Sequence, residues 1–164
     1  MAGMPDAALA FDADAWLGDL MLAPDGVATG HNLRSAIIWS VLTDGRARVD
    51  DVLPDHSWIG GGEGAFGARR GWWGDSYPDH PGDRIGCRLW VLAREIDRPE
   101  IYRKAEEFGR EALAWMVQDG VATAVRVVAT PLRPGWMDLA ITITRPDGRV
   151  EEFRHQLAWA EAGL

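Results

Sequence analysis

The chain has 164 residues, 47% hydrophobic and 26% charged, with a net charge of −8. That length suits one domain burying about 70% of its unfolded surface, and the mix excludes wholesale disorder. The acidic balance, without a Lys/Arg cluster interleaved with aromatics, argues against nucleic acid, and the lone Cys87 cannot form an internal disulfide.

Residues 1–18 are Ala/Asp-rich at the start and weakly patterned, which reads as a flexible segment, with an arm that orders on a partner as the alternative. They lack the basic-then-apolar order of a secretory signal, and no apolar run approaches a membrane span. Leu20-Met21-Leu22 leads into Pro24-Asp25-Gly26 and Val27-Ala28, turn chemistry that predicts a small hairpin. Asn32 can cap a helix over residues 33–43, where Leu33, Ala36, Ile37, Ser40 and Val41 share a face and Gly45 suits a left-handed end. The β-branched Ile37, Ile38 and Val41 keep a strand open as the alternative there.

Residues 46–86 are rich in Gly, Asp and Pro and show no sustained period. A loop of that length inside a compact domain is usually functional. Trp58 and the pair Trp72-Trp73 imply that it folds down, since exposed indoles leave much apolar surface uncovered. Leu89, Leu92, Ala93 and Ile96 predict a short helix over residues 88–95. Asp97-Arg98-Pro99-Glu100 has the spacing of a capping box. From there Ile101, Ala105, Phe108, Ala112, Leu113 and Met116 fall on one helical stripe, closed by Gly120. Arg103, Lys104, Glu106, Glu107, Arg110 and Glu111 occupy the solvated face.

From Val121 the period becomes two. Val125 and Val127, then Met137, Leu139, Ile141 and Ile143, then Phe153, His155, Leu157 and Trp159 each line one side of a strand. Arg145-Pro146-Asp147-Gly148 turns the chain between the last two. The expectation is an α+β fold in which an N-terminal hairpin precedes two or three helices packed on a C-terminal three-stranded antiparallel sheet, with a long Gly/Trp-rich loop between. Residues 19–164 are expected to form the single domain.

Chemistry-bearing patterns are sparse. His31, His56, His80 and His155 lack metal-ligand spacing, and Asp50-Asp51 with Asp55-His56 lacks the ligand pattern of a calcium loop. No Gly-x-Ser-x-Gly elbow is present, and Cys87 beside Arg88 reads as an apolar gap-filler. Glycines 60–64 have no Lys-Ser/Thr after them, so a phosphate cradle is not indicated. Trp58, Trp72, Trp73 and Tyr77 could stack sugar rings, with Glu63, Asp75 and Asp79 as acid and base. That glycan-binding or glycan-hydrolysing reading is the alternative, although nothing local fixes a carboxyl pair. The edges of the C-terminal sheet could template a strand from another chain, and Glu151, Glu152 and Arg154 could equally blunt one.

Several segments together resemble the gene-46 baseplate protein family of Mu-like contractile-tailed phages. They are Leu33-Arg34-Ser35-Ala36, Leu42-Thr43-Asp44-Gly45-Arg46-Ala47, Asp50-Asp51-x-x-Pro54-Asp55, Gly71-Trp72-Trp73-Gly74-Asp75 and Gly86-x-Arg88-Leu89-Trp90-x-Leu92-x-Arg94-Glu95. Glu111-Ala112-Leu113-x-Trp115 running to Asp119-Gly120-Val121-Ala122 completes the set. That family is similar to the gene-25-like baseplate wedge proteins, although the larger group's Glu-Pro-Arg triplet is not present here. The resemblance implies a structural subunit of the virion tail, made in the bacterial host cytoplasm, with no enzymatic activity and no cofactor or metal. It implies several copies around the tail tube, contacts with other wedge or hub proteins and with the first sheath layer, and β-strand augmentation. No nucleic-acid or membrane partner is expected. The expected anchoring or partner-contact residues are Arg46, Trp72, Trp73, Asp75, Trp90, Trp136, Phe153 and Trp159. Trp72 and Trp73 are expected to pin the loop onto the helices, with Arg46 and Asp75 as polar anchors.

Overall fold

Short paired strands open the chain. The computed structural model describes residues 6–7, 9–12, 17–20, 22–23, 26–27, 29–30, 33–54, 69–77, 82, 84–93, 95 and 97–158. It divides into two compact units, residues 1–39 and 40–164. The first unit holds β1 (Asp6–Ala7), β2 (Leu9–Asp12), β3 (Leu17–Leu20), β4 (Leu22–Ala23), β5 (Gly26–Val27) and β6 (Thr29–Gly30). They pair antiparallel as β1–β6, β2–β3 and β4–β5. The hairpin expected from the Pro-Asp-Gly turn is β4–β5, with Leu22 opposite Val27 and Ala23 opposite Gly26. Strand pairing also runs through part of the segment read as flexible.

α1 (Leu33–Leu42) is helical, which resolves the helix-or-strand alternative. Leu33, Ile37, Ser40 and Val41 are buried along one side. Asn32, the expected cap, lies outside the described residues. Gly45 is not left-handed as expected. Its hydrogen atoms are needed because a Cβ there would sit 2.9 Å from the Gly86 carbonyl group.

In the second unit two 3₁₀ turns, Trp73–Ser76 and Arg88–Leu92, precede α2 (Pro99–Ala112) and α3 (Ala114–Gln118). The second turn is shorter and tighter than the helix expected over residues 88–95. The expected capping box does not form. Pro99 takes the first helical position, where its fixed φ is already helical, and no side chain caps the end. Asp97 instead accepts the Tyr102 hydroxyl at 2.6 Å. Burial and that carboxylate push the Tyr102 hydroxyl up to about 12. The single helix expected to reach Gly120 breaks at Leu113, and Leu113 and Met116 are both fully buried across the break. Gly120, at φ 71°, then turns the chain so that Ala122 N–H meets the Met116 carbonyl at 2.8 Å.

The sheet is a meander of β7 (Ala124–Arg133), β8 (Trp136–Thr144) and β9 (Val150–Ala158), in that order and antiparallel throughout. Its register places Val127, Ile141 and Phe153 in one row and Ala129, Leu139 and His155 in the next. α2 and α3 pack on β7 and bury Ile101, Ala105, Phe108, Leu113 and Met116. Gly109 permits this approach, since a Cβ there would meet Val127 at 3.0 Å. Met137, Leu139, Ile141 and Ile143 form the centre of the core. Burying each such side chain contributes roughly 1.5–3 kcal/mol.

The two sheet edges differ. Glu106 reaches from α2 to accept the Ala129 N–H of β7 at 3.2 Å, so the helix occupies one outward donor of that edge. Among the described residues β9 pairs with β8 alone, and Glu152, Arg154 and Gln156 on its solvent face are exposed.

Candidate docking surface

The stretch 43–51 lies between two other segments and organises both. On one side Cys87 N–H meets the Thr43 carbonyl and Gly45 N–H meets the Cys87 carbonyl, each at 2.8 Å. Trp90 Nε1 donates to the Gly45 carbonyl at 2.7 Å. On the other side Ala47 N–H bonds to the Arg69 carbonyl at 2.9 Å. The Arg69 guanidinium donates to the carbonyls of Arg48 and Val49. Arg70 pairs with Asp44 at 2.7 Å and lies 4.6 Å from the centre of the Trp90 ring.

Beneath this lies a buried charge. Arg88, 6% exposed, donates through Nη1 to both Asp51 oxygens at 2.8 Å and through Nη2 to Glu111 at 2.5 Å. Its guanidinium lies 4.2 Å from the Phe108 ring centre. Arg48 adds an exposed pair to Glu111 at 2.8 Å, and its N–H donates to Asp51 at 2.7 Å. Burial alone would raise the Asp51 carboxyl. The hydrogen bonds from Arg88 and the Arg48 amide, with both cationic charges, instead hold it below the ordinary aspartate value. Burial works against the charged Arg88 too, but its bonds to Asp51 and Glu111 raise it above its ordinary value. Arg88 and Glu111 form a part-buried ion pair that the periodic pattern hid. A cation in the apolar run Cys87-Arg88-Leu89-Trp90-Val91-Leu92 was the available signal, because a buried charge must be paired.

Residues 69–71 feed directly into the tryptophan turn. Gly71, at φ 102°, lies against the Arg46 stem, where a Cβ would approach Arg46 Cβ to 2.8 Å. Asp75 Oδ1 accepts the Ile85 N–H at 3.1 Å, and its Oδ2 is buried without a hydrogen-bond partner. Trp72 lies over Gly74, and its ring centre is 5.5 Å from that of Trp73. Trp72 is 46% exposed, Trp73 76% and Tyr77 84%. The indoles therefore do not pin the loop onto the helices. Backbone hydrogen bonds and three arginines hold its described residues 46–51 and 69–70, and the indoles lie at the surface.

The other candidates are dispersed. Trp90 is buried and serves as an internal anchor. Trp136 is half-buried at the start of β8, 4.1 Å from the Arg133 guanidinium. Phe153 is half-buried on β9 opposite Ile141. Trp159, Trp58, Glu63 and Asp79 lie outside the described residues. A cleft of about 620 Å³ runs beside Arg88 and the α2–α3 corner, and Glu111 on its wall is already bound to Arg48 and Arg88. Cys87 is buried, and burial pushes its thiol up to about 12, which suits a gap-filler and not a nucleophile. Among the described residues no group of three or more His, Cys, Asp or Glu side chains could hold a metal ion, and no helix is long and apolar enough to cross a membrane.

Comparison with known proteins takes in most of the second unit and reaches into the first. Residues 33–150 match the family described as Phage protein GP46. The chain is 39% identical over 140 residues to the baseplate protein gp46 of Escherichia phage Mu, covering 84% of this chain and 88% of that one. It is 36% identical over 143 residues to the Mu-like prophage FluMu protein gp46 of Haemophilus influenzae, covering 87% and 90%.

Proposed function

This chain belongs to the GP46 family of phage proteins, and from that premise we propose that it is a structural subunit of a contractile-tail baseplate. Its work is contact with neighbouring subunits, without a covalent step. The observation that carries this reading is the pair of solvent-facing indoles on a turn tied by hydrogen bonds to residues 44–47 and Ile85. Large aromatic side chains held rigidly at a surface are typical anchors of protein interfaces, because little side-chain freedom is lost when they dock. Trp72 and Trp73 are thus docking residues, with Asp75 holding the turn. Among the described residues no strand pairs with the outer edge of β9, the element that would accept a strand from a neighbour, whereas α2 occupies the Ala129 N–H of β7. In this reading several copies surround the tail tube and join wedge or hub proteins to the first sheath layer.

The test is to purify intact tails made by a phage or prophage encoding this chain and to quantify the chain by mass spectrometry. The proposal expects it in every tail at fixed stoichiometry with the other baseplate subunits. A chain left in the soluble fraction while complete tails form would contradict it. So would peptidoglycan turnover by the purified chain that is lost in Asp75→Asn.

A further inference from the structure

The buried ion cluster and the tryptophan turn are joined by an unbroken series of contacts. Arg88 holds Asp51, Asp51 accepts the Arg48 N–H, and the Arg48 carbonyl accepts the Arg69 guanidinium. One residue beyond Arg70, Gly71 rests on Arg46, and Trp72 follows. Glu111 ties the same Arg88 to α2, the helix that packs on the sheet. Segments separated by tens of residues thus meet at one guanidinium. A solvated loop would not need a charge buried to this degree, since taking a guanidinium out of water is unfavourable unless its partners are fixed.

We propose that Arg88 is a positioning residue for docking: bridging Asp51 and Glu111, it locks residues 43–51 against α2 and thereby fixes the Trp72–Trp73 turn in the orientation that a neighbouring subunit grips. This rests on the docking role proposed above. Arginine suits the task because its planar fork bonds two carboxylates at once, which a lysine ammonium does with less directional control. The turn has little apolar packing of its own, so its order is borrowed from the residue 43–51 segment.

Hydrogen exchange on the full chain separates this from a general contribution to folding. In Arg88→Met, and in the near-isosteric Asp51→Asn, amides of residues 44–51 and 69–77 should exchange at least tenfold faster. Those of residues 137–143 in β8 should exchange as in the wild type. Arg88→Lys should fall between. Incorporation into purified tails should drop in proportion to the lost protection at residues 69–77. Unchanged protection at residues 69–77 in Asp51→Asn would overturn the proposal, and so would equal loss across β8. Absence of the wild-type chain from tails would instead overturn the docking role, leaving the exchange result to judge the clamp on its own.

Discussion

The helix-covered sheet and the arginine-held loop lie in the same unit and reach order by different routes. In the sheet, order comes from repetition: Met137, Leu139, Ile141 and Ile143 recur every second residue, and α2 meets them with its apolar stripe. Each contact is one of many, so cohesion is spread across the layer. In the loop, order comes from a few specific bonds to Arg88, Arg69 and Arg70, and from two glycines that allow close backbone approach at Gly45 and Gly71. The first arrangement resists disturbance by averaging. The second holds two tryptophans in solvent, at a cost no apolar core would tolerate, which is what the proposed docking role requires.

Phe108 belongs to both regions, so Phe108→Ala should have the largest effect. It removes a buried ring from the core and the surface beneath Arg88, costing about 3–5 kcal/mol. Chemical denaturation should record that loss, and exchange should quicken in the sheet and the loop together. Leu139→Ala tests the sheet alone. It should cost about 2–5 kcal/mol of global stability while leaving the relative protection of residues 44–51 unchanged. Glu106→Ala leaves the Ala129 N–H without its acceptor and should cost about 1–3 kcal/mol. It should also raise self-association measured by sedimentation, since that donor of the β7 edge is left open.

Acid sharpens the comparison further. The Asp51 carboxyl titrates lower in the folded chain than its ordinary value of 3.8. Its stabilising contribution is therefore full above that value and is lost as pH falls through the lowered folded value, because the unfolded chain binds the proton first. Residues 44–51 should lose protection in that window, and Asp51→Asn should flatten the response. Arg48→Ala breaks an exposed pair with Glu111 and removes the lesser of two cationic charges near Asp51, and should change the melting temperature by the equivalent of less than about 1 kcal/mol.

This contrast also explains what could be read from the chain before its structure. The meander, the β4–β5 hairpin and the apolar stripe of α2 follow from local chemistry, because period and turn residues are local properties. The break at Leu113 and the loss of the capping box do not. Pro99 and Tyr102 compete with Asp97 for roles that spacing alone assigned to it. The clamp was the least legible part. Arg88 finds one carboxylate 37 residues upstream and another 23 downstream, and no period marks such partners. Glu106 and Glu111 had the spacing of a solvated face, yet one occupies a strand-edge donor and the other shares a buried arginine. Two adjacent tryptophans left loop anchor and partner contact both open, and their surface position became visible only in the fold.

The central claim is that Trp73 faces solvent in the free chain so that a neighbouring subunit can cover it. A direct measurement is competition between Trp73→Ala and the wild-type chain for incorporation into the same tails, with the melting curves of both free chains recorded alongside. The account predicts stability within about 0.5 kcal/mol of the wild type and a variant strongly under-represented in tails. A variant that melts far earlier, or one that enters tails as readily as the wild type, would contradict it.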